Sequence, residues 1–177
     1  MKNIVKKSVL FACATLMIGS TSLAASTPQV QAIGMPNPIV TYDTYESAVH
    51  TAGFTPLYLT RDAGYSCTSI SLISKHTADL GFQKLGQPET TVRVRTMPQK
   101  TDKSVTDISG VYSVTWNDQV IDGVTVSMAK ISDTSYAAHW KVGDYQFSAQ
   151  AEGMSAPEFK ALLENSLVDD SAHYFVK

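Results

Sequence analysis

The sequence predicts an α+β fold: a curved antiparallel β-sheet of several strands with an N-terminal and a C-terminal helix packed on it. Three observations favour this class. A helical pattern comes first, a long middle region follows in which apolar and polar residues alternate, and a second helical pattern closes the chain. Strands that follow one another, rather than alternating with helices, are typical of α+β and not of doubly wound α/β proteins.

The first helix is predicted to begin at Asp43. Asp43 and Glu46 have the spacing of a capping box, with Asp in place of the usual Ser or Thr. An apolar face follows at helical spacing and consists of Tyr45, Ala48, Val49 and Ala52. Gly53 is predicted to end the helix, because glycine enters the left-handed conformation without penalty.

From Leu57 to Gln150 the pattern is that of strands. Apolar and polar residues alternate in 92–96, 112–116 and 124–128, which indicates strands with one wet face and favours antiparallel pairing. Turns are predicted at the pairs Asn117-Asp118, Asp122-Gly123, Ser132-Asp133 and Gly143-Asp144. The last of these turns predicts that 136–140 pairs with 145–150.

A second capping box, made by Ser155 and Glu158, predicts the C-terminal helix, and Pro157 suits its first turn. One stripe at helical spacing consists of Phe159, Leu162, Leu163, Ser166 and Leu167, and its leucine and phenylalanine residues are predicted to form the apolar core. The pair Asp169-Asp170 is interpreted as a solvated helix end.

The N-terminus has the features of a secretory signal peptide over residues 1–24. Three lysines precede an apolar run at 8–19, and small residues follow. The run is shorter than the roughly 18 residues that a membrane span needs. Cleavage is expected near Ala24, with a second possible site at 30–32 and an uncleaved anchor as the alternative. Residues 25–37 are predicted to be a flexible leader and 38–177 a single domain, located in the periplasm or outside the cell.

Removal of the signal peptide would change both charge and cysteine content. It takes away three lysines and no acidic residue, which leaves 11 basic and 16 acidic residues and a net charge of −5. An acidic domain is not expected to bind nucleic acid, whose affinity depends on neutralising phosphates. Neither a polybasic membrane patch nor a transmembrane segment is expected after cleavage. With Cys13 lost, Cys67 stands alone and is interpreted as a small buried residue; a reactive thiol or a link between chains are the alternatives.

The sequence contains no recognised catalytic motif. A nucleophile elbow, a phosphate-binding glycine loop and a histidine pair at metal-ligand spacing are all missing. Ser127 and Lys130 fit Ser-x-x-Lys, but they lie in a predicted strand, where the lysine cannot turn onto the serine. No catalytic residue, metal ligand or cofactor is therefore assigned. A haem or copper site assembled from distant His, Met and Cys67 stays open.

Two features suggest binding. Arg93 and Arg95 share one predicted sheet face, with lysines nearby in sequence, which fits either an anion-binding strip or a solvated strand face. Aromatic residues are concentrated in the strands, mostly as core, and any that face a concavity would line an apolar groove. The candidate ligand-binding residues are Arg93, Arg95, Trp116, Tyr136, Trp140 and Tyr145.

Short motifs lie in 34–38, 42–44, 46–48, 52–54, 107–110, 122–126, 138–140, 143–148 and 153–158. Together they resemble an uncharacterised family of small exported bacterial domains, which is similar to extracytoplasmic C-terminal domains of membrane-anchored, anti-sigma-type proteins. The match spans nearly all of 34–167 and consists of turn and core residues. It implies a domain of unknown function without established catalytic residues. No membrane segment like that of the anchored members is expected in the mature chain, so a signalling role does not carry over.

Together these patterns predict an exported, non-enzymatic binding domain. It would hold a small apolar ligand or a protein segment, of unknown identity, on the aromatic-lined sheet. The alternatives are a small extracytoplasmic hydrolase, which requires Ser, Asp or His side chains converging in a cleft, and a haem or metal carrier that uses His and Met.

Overall fold

Eight antiparallel strands form one open sheet in the computed structural model, which describes residues 38–100 and 105–175. The predicted signal peptide and leader lie outside the described residues. Mixed helix and antiparallel sheet confirm the α+β class, with sheet predominating. The strands are β1 (Ile39–Thr41), β2 (Tyr65–Ile73), β3 (Thr77–Lys84), β4 (Gln87–Pro98), β5 (Asn117–Ile121), β6 (Val124–Ser132), β7 (Ser135–Val142) and β8 (Tyr145–Glu152).

The helices lie towards both ends of the described chain. α1 (Tyr45–Ala52) follows β1, and α2 (Ala156–Leu162) follows β8. A π-helical turn (Leu163–Leu167) leads from α2 into α3 (Val168–Tyr174). Among the described residues, no helix has the length and apolarity needed to cross a lipid bilayer.

The strand order across the sheet is β1-β2-β3-β4-β8-β7-β6-β5. β1 to β4 form one meander, and the chain then passes to the far edge, where β5 to β8 form a second meander that returns to the middle. The pairing of β4 with β8, which runs from Thr91↔Glu152 to Pro98↔Tyr145, joins the two meanders.

The two faces of the sheet differ in chemistry. One face, here called the helix face, carries apolar residues in register, namely Leu80, Val94, Ala149, Ala138 and Met128. The first four form one buried core with Phe159, Leu163 and Leu167 of the C-terminal helical segment, and the partly buried Met128 packs against it. The other face, here called the polar face, carries in register Asp79, Arg95, Ser148, His139 and Ser127.

Several predicted boundaries are confirmed. The alternating segments 92–96 and 124–128 lie in β4 and β6, and 136–140 pairs with 145–150 through Trp140↔Phe147. Gly53, with φ 75°, ends α1, and its N–H donates to the carbonyl of Val49. The start of α1 is one residue later than predicted. Thr44, in an extended conformation, is the N-cap, because its hydroxyl accepts from the N–H of Ser47 at 3.2 Å.

The predicted strand over 112–116 is wrong, and so is the turn at Asn117-Asp118. The described connection 105–116 is irregular, and Ser113 interrupts it with a φ of 62°. The turn predicted at Asp122-Gly123 is confirmed, and both residues have positive φ (49° and 79°), as a tight hairpin turn requires. That turn fixes the register of β5 on β6 and makes Asn117 a strand residue opposite Met128.

Three further boundaries differ from the prediction. The strand region begins at Tyr65 and not at Leu57, because the N–H of Leu57 bonds to the Thr96 side chain instead of to a neighbouring strand. The turn after β6 falls on 133–134, one residue late. The C-terminal helical segment runs on to Tyr174, so Asp169 and Asp170 lie inside α3 and not at a solvated end.

Candidate functional site

A cleft of about 930 Å³ lies between segment 54–60, the ends of β4 and β8, and the end of α3. Its volume falls in the range of about 300–1,000 Å³ that is typical of small-molecule sites. We call it the aromatic cleft, because six aromatic side chains line it: Tyr45, Phe54, Tyr58, Tyr145, Tyr174 and Phe175.

Segment 54–60 forms one wall and is fixed to both the sheet and α1. The N–H of Leu57 donates to Oγ1 of Thr96 in β4 at 3.0 Å. The hydroxyl of Tyr45 donates to the carbonyl of Pro56 at 2.6 Å. Leu57 and Leu59 are both buried, so the segment is anchored through its side chains as well. The wall therefore has a defined position although it is neither helix nor strand.

Tyr45 and Tyr58 meet edge to face on this side, with ring centroids 5.1 Å apart. Burial, assisted by Tyr58 and Glu46, raises the pKa of Tyr45 to about 12. Burial also raises the pKa of Tyr58, with a smaller contribution from Cys67. Both phenols are therefore neutral at physiological pH and present ring surface rather than charge to the cleft.

The facing wall is built from β8 and the end of α3. The ring of Tyr145 lies 6.2 Å from that of Phe54 and 4.9 Å from that of Phe175. Phe175 also contacts the buried Phe147, which ties the end of α3 to the sheet. Tyr174 stays at the edge of the cleft and is 71 % exposed.

The π-helical turn sets the orientation of α3. The N–H of Val168 reaches back five residues to the carbonyl of Leu163, and turns of this kind are frequent at functional sites. Beyond it, Ser171 is fully buried, and its Oγ accepts a 2.9 Å hydrogen bond from the indole of Trp140. This contact fixes the face of α3 that carries Asp170 and Tyr174 towards the cleft.

Three charged side chains of the described residues line the cleft. Lys100 Nζ lies 3.7 Å from an Asp144 carboxylate oxygen at the exposed edge. Asp170 is half-buried. Burial raises the pKa of Asp170, and neighbouring Asp169 adds to the effect, whereas His173 opposes it.

Arg93 and Arg95 lie together on the polar face, as their alternation predicts, but an acidic residue stands between them. Asp79 lies 3.5 Å from Arg93 and 3.4 Å from Arg95. Nη1 of Arg95 also donates to the carbonyls of Ile108 and Ser109, at 3.0 and 2.9 Å. Arg95 is therefore held in a structural contact with the connection 105–116, whereas the Arg93 side chain stays 56 % exposed.

The nearby lysines do not extend these arginines into a strip. Lys84 pairs with Glu158, and Lys100 pairs with Asp144. Lys103 lies outside the described residues. A second, smaller cavity of about 230 Å³ opens beside Arg93, between Ser69, Gln150 and Glu152.

The four predicted aromatic residues occupy three different surroundings. Trp116 packs edge-on against His139 on the polar face, with centroids 4.5 Å apart. Tyr136 stacks on Phe159 on the helix face, and Trp140 is 2 % exposed in the core. Of the six predicted site residues, Tyr145 alone lines the aromatic cleft.

Sequence reasoning missed most of the cleft. The sequence pattern predicts Tyr45 on a helix face, Phe54 between that helix and the strand region, and Tyr58 within the strand region. Tyr174 and Phe175 follow the predicted end of the last helix. Two adjacent aromatic residues at that point were the one available signal that the C-terminus returns to the sheet.

An aspartate, a serine and a histidine, the residue types of a hydrolase triad, are neighbours on the polar face, but their contacts differ from those of a triad. Asp118, Ser127 and His139 are neighbours in register on β5, β6 and β7. Ser127 Oγ donates to Asp118 at 2.6 Å. Within the described part of the chain, His139 forms no hydrogen bond with either residue and packs on Trp116 instead. In a catalytic triad the serine bonds to the histidine, which acts as its base, and the acid bonds to the other nitrogen of that histidine. Here the serine bonds directly to the acid, so these three residues do not have the contacts of a triad.

Cys67 and the possible metal ligands are the remaining candidates for chemistry. Cys67 is a free thiol of intermediate exposure, so the predicted burial is only partial; it lies at a β-bulge, and its Sγ donates to the carbonyl of Ser69 at 3.5 Å. Burial raises the pKa of this thiol. In residues 38–100 and 105–175, no group of three or more His, Cys, Asp or Glu side chains is arranged to hold a metal ion.

No family model, curated protein or solved structure matches the chain. The resemblance to exported bacterial domains therefore stays a hypothesis, and function is argued from the geometry of the aromatic cleft.

Proposed function

We propose that this protein is an exported, non-enzymatic binding domain that holds a small apolar or amphipathic molecule in the aromatic cleft. The observation that carries the proposal is the lining of a ligand-sized cleft by six aromatic rings. Aromatic and apolar surface with a few polar groups at the edge is the usual composition of a small-molecule site. The ligand would lie at the end of the sheet and not across its face.

Several contacts support a cleft that exists before the ligand arrives. Tyr45 is held by Pro56, segment 54–60 by Thr96, and Phe175 by Phe147. A preformed site loses little conformational entropy when it binds, so more of the gain from apolar burial becomes affinity.

Two finer parts of the proposal concern architecture and location. The sheet is curved, and α1 packs on it together with the C-terminal helix, since α1 contributes Tyr45 to the wall. The N-terminal signal pattern directs the chain to the periplasm or the extracellular medium. Fractionation of cells into cytoplasm, periplasm and medium would test the second point, and recovery of the chain in the cytoplasm alone would contradict it.

The binding test compares two exposed tyrosines. Tyr174 lines the cleft, whereas Tyr112 lies in the connection 105–116 and is 85 % exposed. Calorimetric titration with dodecyl maltoside below its critical micelle concentration should show saturable binding. Tyr174→Ala should weaken that binding about tenfold, the effect of about 1.4 kcal/mol, and Tyr112→Ala should leave it unchanged.

Two results would count against the proposal: no saturable binding by the wild type, or equal effects of the two substitutions. Native mass spectrometry of protein from an exporting host provides an independent check. A co-purified small mass supports the cleft, whereas a co-purified polypeptide would favour a protein segment as the occupant.

A further inference from the structure

We infer that the aromatic cleft selects ligands whose polar end is a cation, such as an amphiphilic amine or quaternary ammonium, and that Asp170 receives that cation beside the aromatic rings. This inference rests on the proposed function and specifies its ligand class.

The charge balance of the cleft is the first argument. Its charged lining residues are Lys100, Asp144 and Asp170, as far as the structure describes the chain. Lys100 and Asp144 lie 3.7 Å apart and are 84 % and 71 % exposed, so they largely neutralise each other in water. The carboxylate of Asp170 is then the unbalanced charge of the site.

The surroundings of Asp170 are the second argument. No described residue donates a hydrogen bond to its carboxylate or forms an ion pair with it. Of its charged neighbours, Asp169 raises the pKa of Asp170 and His173 lowers it, and neither forms an ion pair or a hydrogen bond with its carboxylate. A half-buried carboxylate without a partner is disfavoured by desolvation, and a ligand cation would recover that free energy. A neutral or anionic head group would not.

The aromatic rings supply the third argument. Tyr174 follows Asp170 by four residues in α3 and therefore lies on the same helix face. Tyr145 and Phe175 line the same cleft. Ring faces attract cations within about 6 Å, most strongly where water is excluded. A carboxylate among several rings is thus suited to an ammonium group, while the remaining rings cover an alkyl chain.

The experiment compares three probes with the same twelve-carbon chain: dodecyltrimethylammonium, dodecyl maltoside and laurate. Each is titrated calorimetrically below its critical micelle concentration at low salt, with protein purified from a host that expresses the full chain. The expected order of affinity is cation, then neutral, then anion. Asp170→Asn should weaken binding of the cation about tenfold, and should weaken binding of the cation more than binding of dodecyl maltoside.

Asp169→Asn is the matched control, because it removes the same charge from an exposed neighbour that does not line the cleft. It should change the affinity for the cation less than twofold. Equal affinities for cation and neutral probe, or equal effects of the two substitutions, would overturn the charge preference while leaving apolar binding intact. Failure of all three probes would instead reject the proposed function, and the inference with it. Urea unfolding of both variants verifies that each is folded.

Discussion

The indole Nε1 of Trp140 donates a 2.9 Å hydrogen bond to Oγ of Ser171. Trp140 lies in β7 near the centre of the sheet, and Ser171 lies in α3; both are buried. The serine hydroxyl in turn donates to the carbonyl of Val168 at 2.9 Å, so it acts as acceptor and donor at once. This pair links the helix that lines the aromatic cleft to the core of the sheet.

Ser171→Ala should lower the free energy of unfolding by about 1–3 kcal/mol, because it leaves a buried indole N–H without an acceptor. Equilibrium urea unfolding measures the loss. Ser166→Ala is the matched control, since it makes the same change within the same helical segment at a site without this contact. Equal effects of the two substitutions would show that helix propensity, and not the hydrogen bond, dominates.

Arg95→Met should release the connection 105–116 from the polar face. The substitution keeps an aliphatic stem but removes the donors to Ile108 and Ser109 and leaves Asp79 with a weaker partner. We expect a loss of about 2–4 kcal/mol in unfolding free energy and faster amide hydrogen exchange in peptides from 105–116.

Arg93→Met tests whether any arginine at this face has the same role. The side chain of Arg93 is mostly exposed and contacts Asp79 alone among the described ion-pair partners, so its loss should cost less than about 1 kcal/mol. The assignment fails if exchange in 105–116 rises equally in both variants.

Glu158 should make the stability of the protein depend on pH in the acid range. Its carboxylate accepts from the hydroxyl and the backbone N–H of Ser155, at 2.6 and 3.0 Å, with Lys84 3.4 Å away. The Ser155 hydroxyl, then its backbone N–H and Lys84, lower the pKa of Glu158 to about 2, below the value of about 4.3 expected for an unfolded chain. Its contribution is therefore fully present above about pH 5 and is lost as the pH falls towards 2.

The measurement is the urea midpoint of wild type and Glu158→Gln between pH 2 and 7. The gap between them should be constant from pH 7 to 5 and should shrink as the pH falls to 2. Glu164→Gln, which removes an exposed pair with Lys160, is the control and should show a smaller gap at neutral pH. A Glu158 gap that persists unchanged at pH 2 would contradict the assignment.

Local signals in the sequence located most regular elements. The left-handed Gly53, the capping box at Ser155 and the Asp122-Gly123 turn each depend on residues close together in the chain, so they are readable without a structure. The alternation of apolar and polar residues in 112–116 led to the false prediction of a strand. An extended segment that lies over a sheet can show the same alternation as a strand. Tyr112 is 85 % exposed there, without a neighbouring strand.

The aromatic cleft could not be predicted in the same way. Tyr45, Tyr58, Tyr145 and Tyr174 come from four separate parts of the chain, and they meet only because β4 pairs with β8 and α3 returns to the sheet. The π-helical turn, which orients Asp170 and Tyr174, has no sequence pattern as plain as a capping box. Burial of Trp140 likewise follows from the helix that covers it.

The strand order has a consequence for how the chain assembles. Each meander can form from hairpins between neighbouring strands, but β4 and β8 must find each other across a long stretch of sequence and pay its loop-closure entropy. Until they meet, both present unpaired edges with apolar rows, which are templates for pairing with another chain. We therefore expect the pairing of these two strands to limit the rate of folding, and their unpaired edges to be sites of aggregation before it forms.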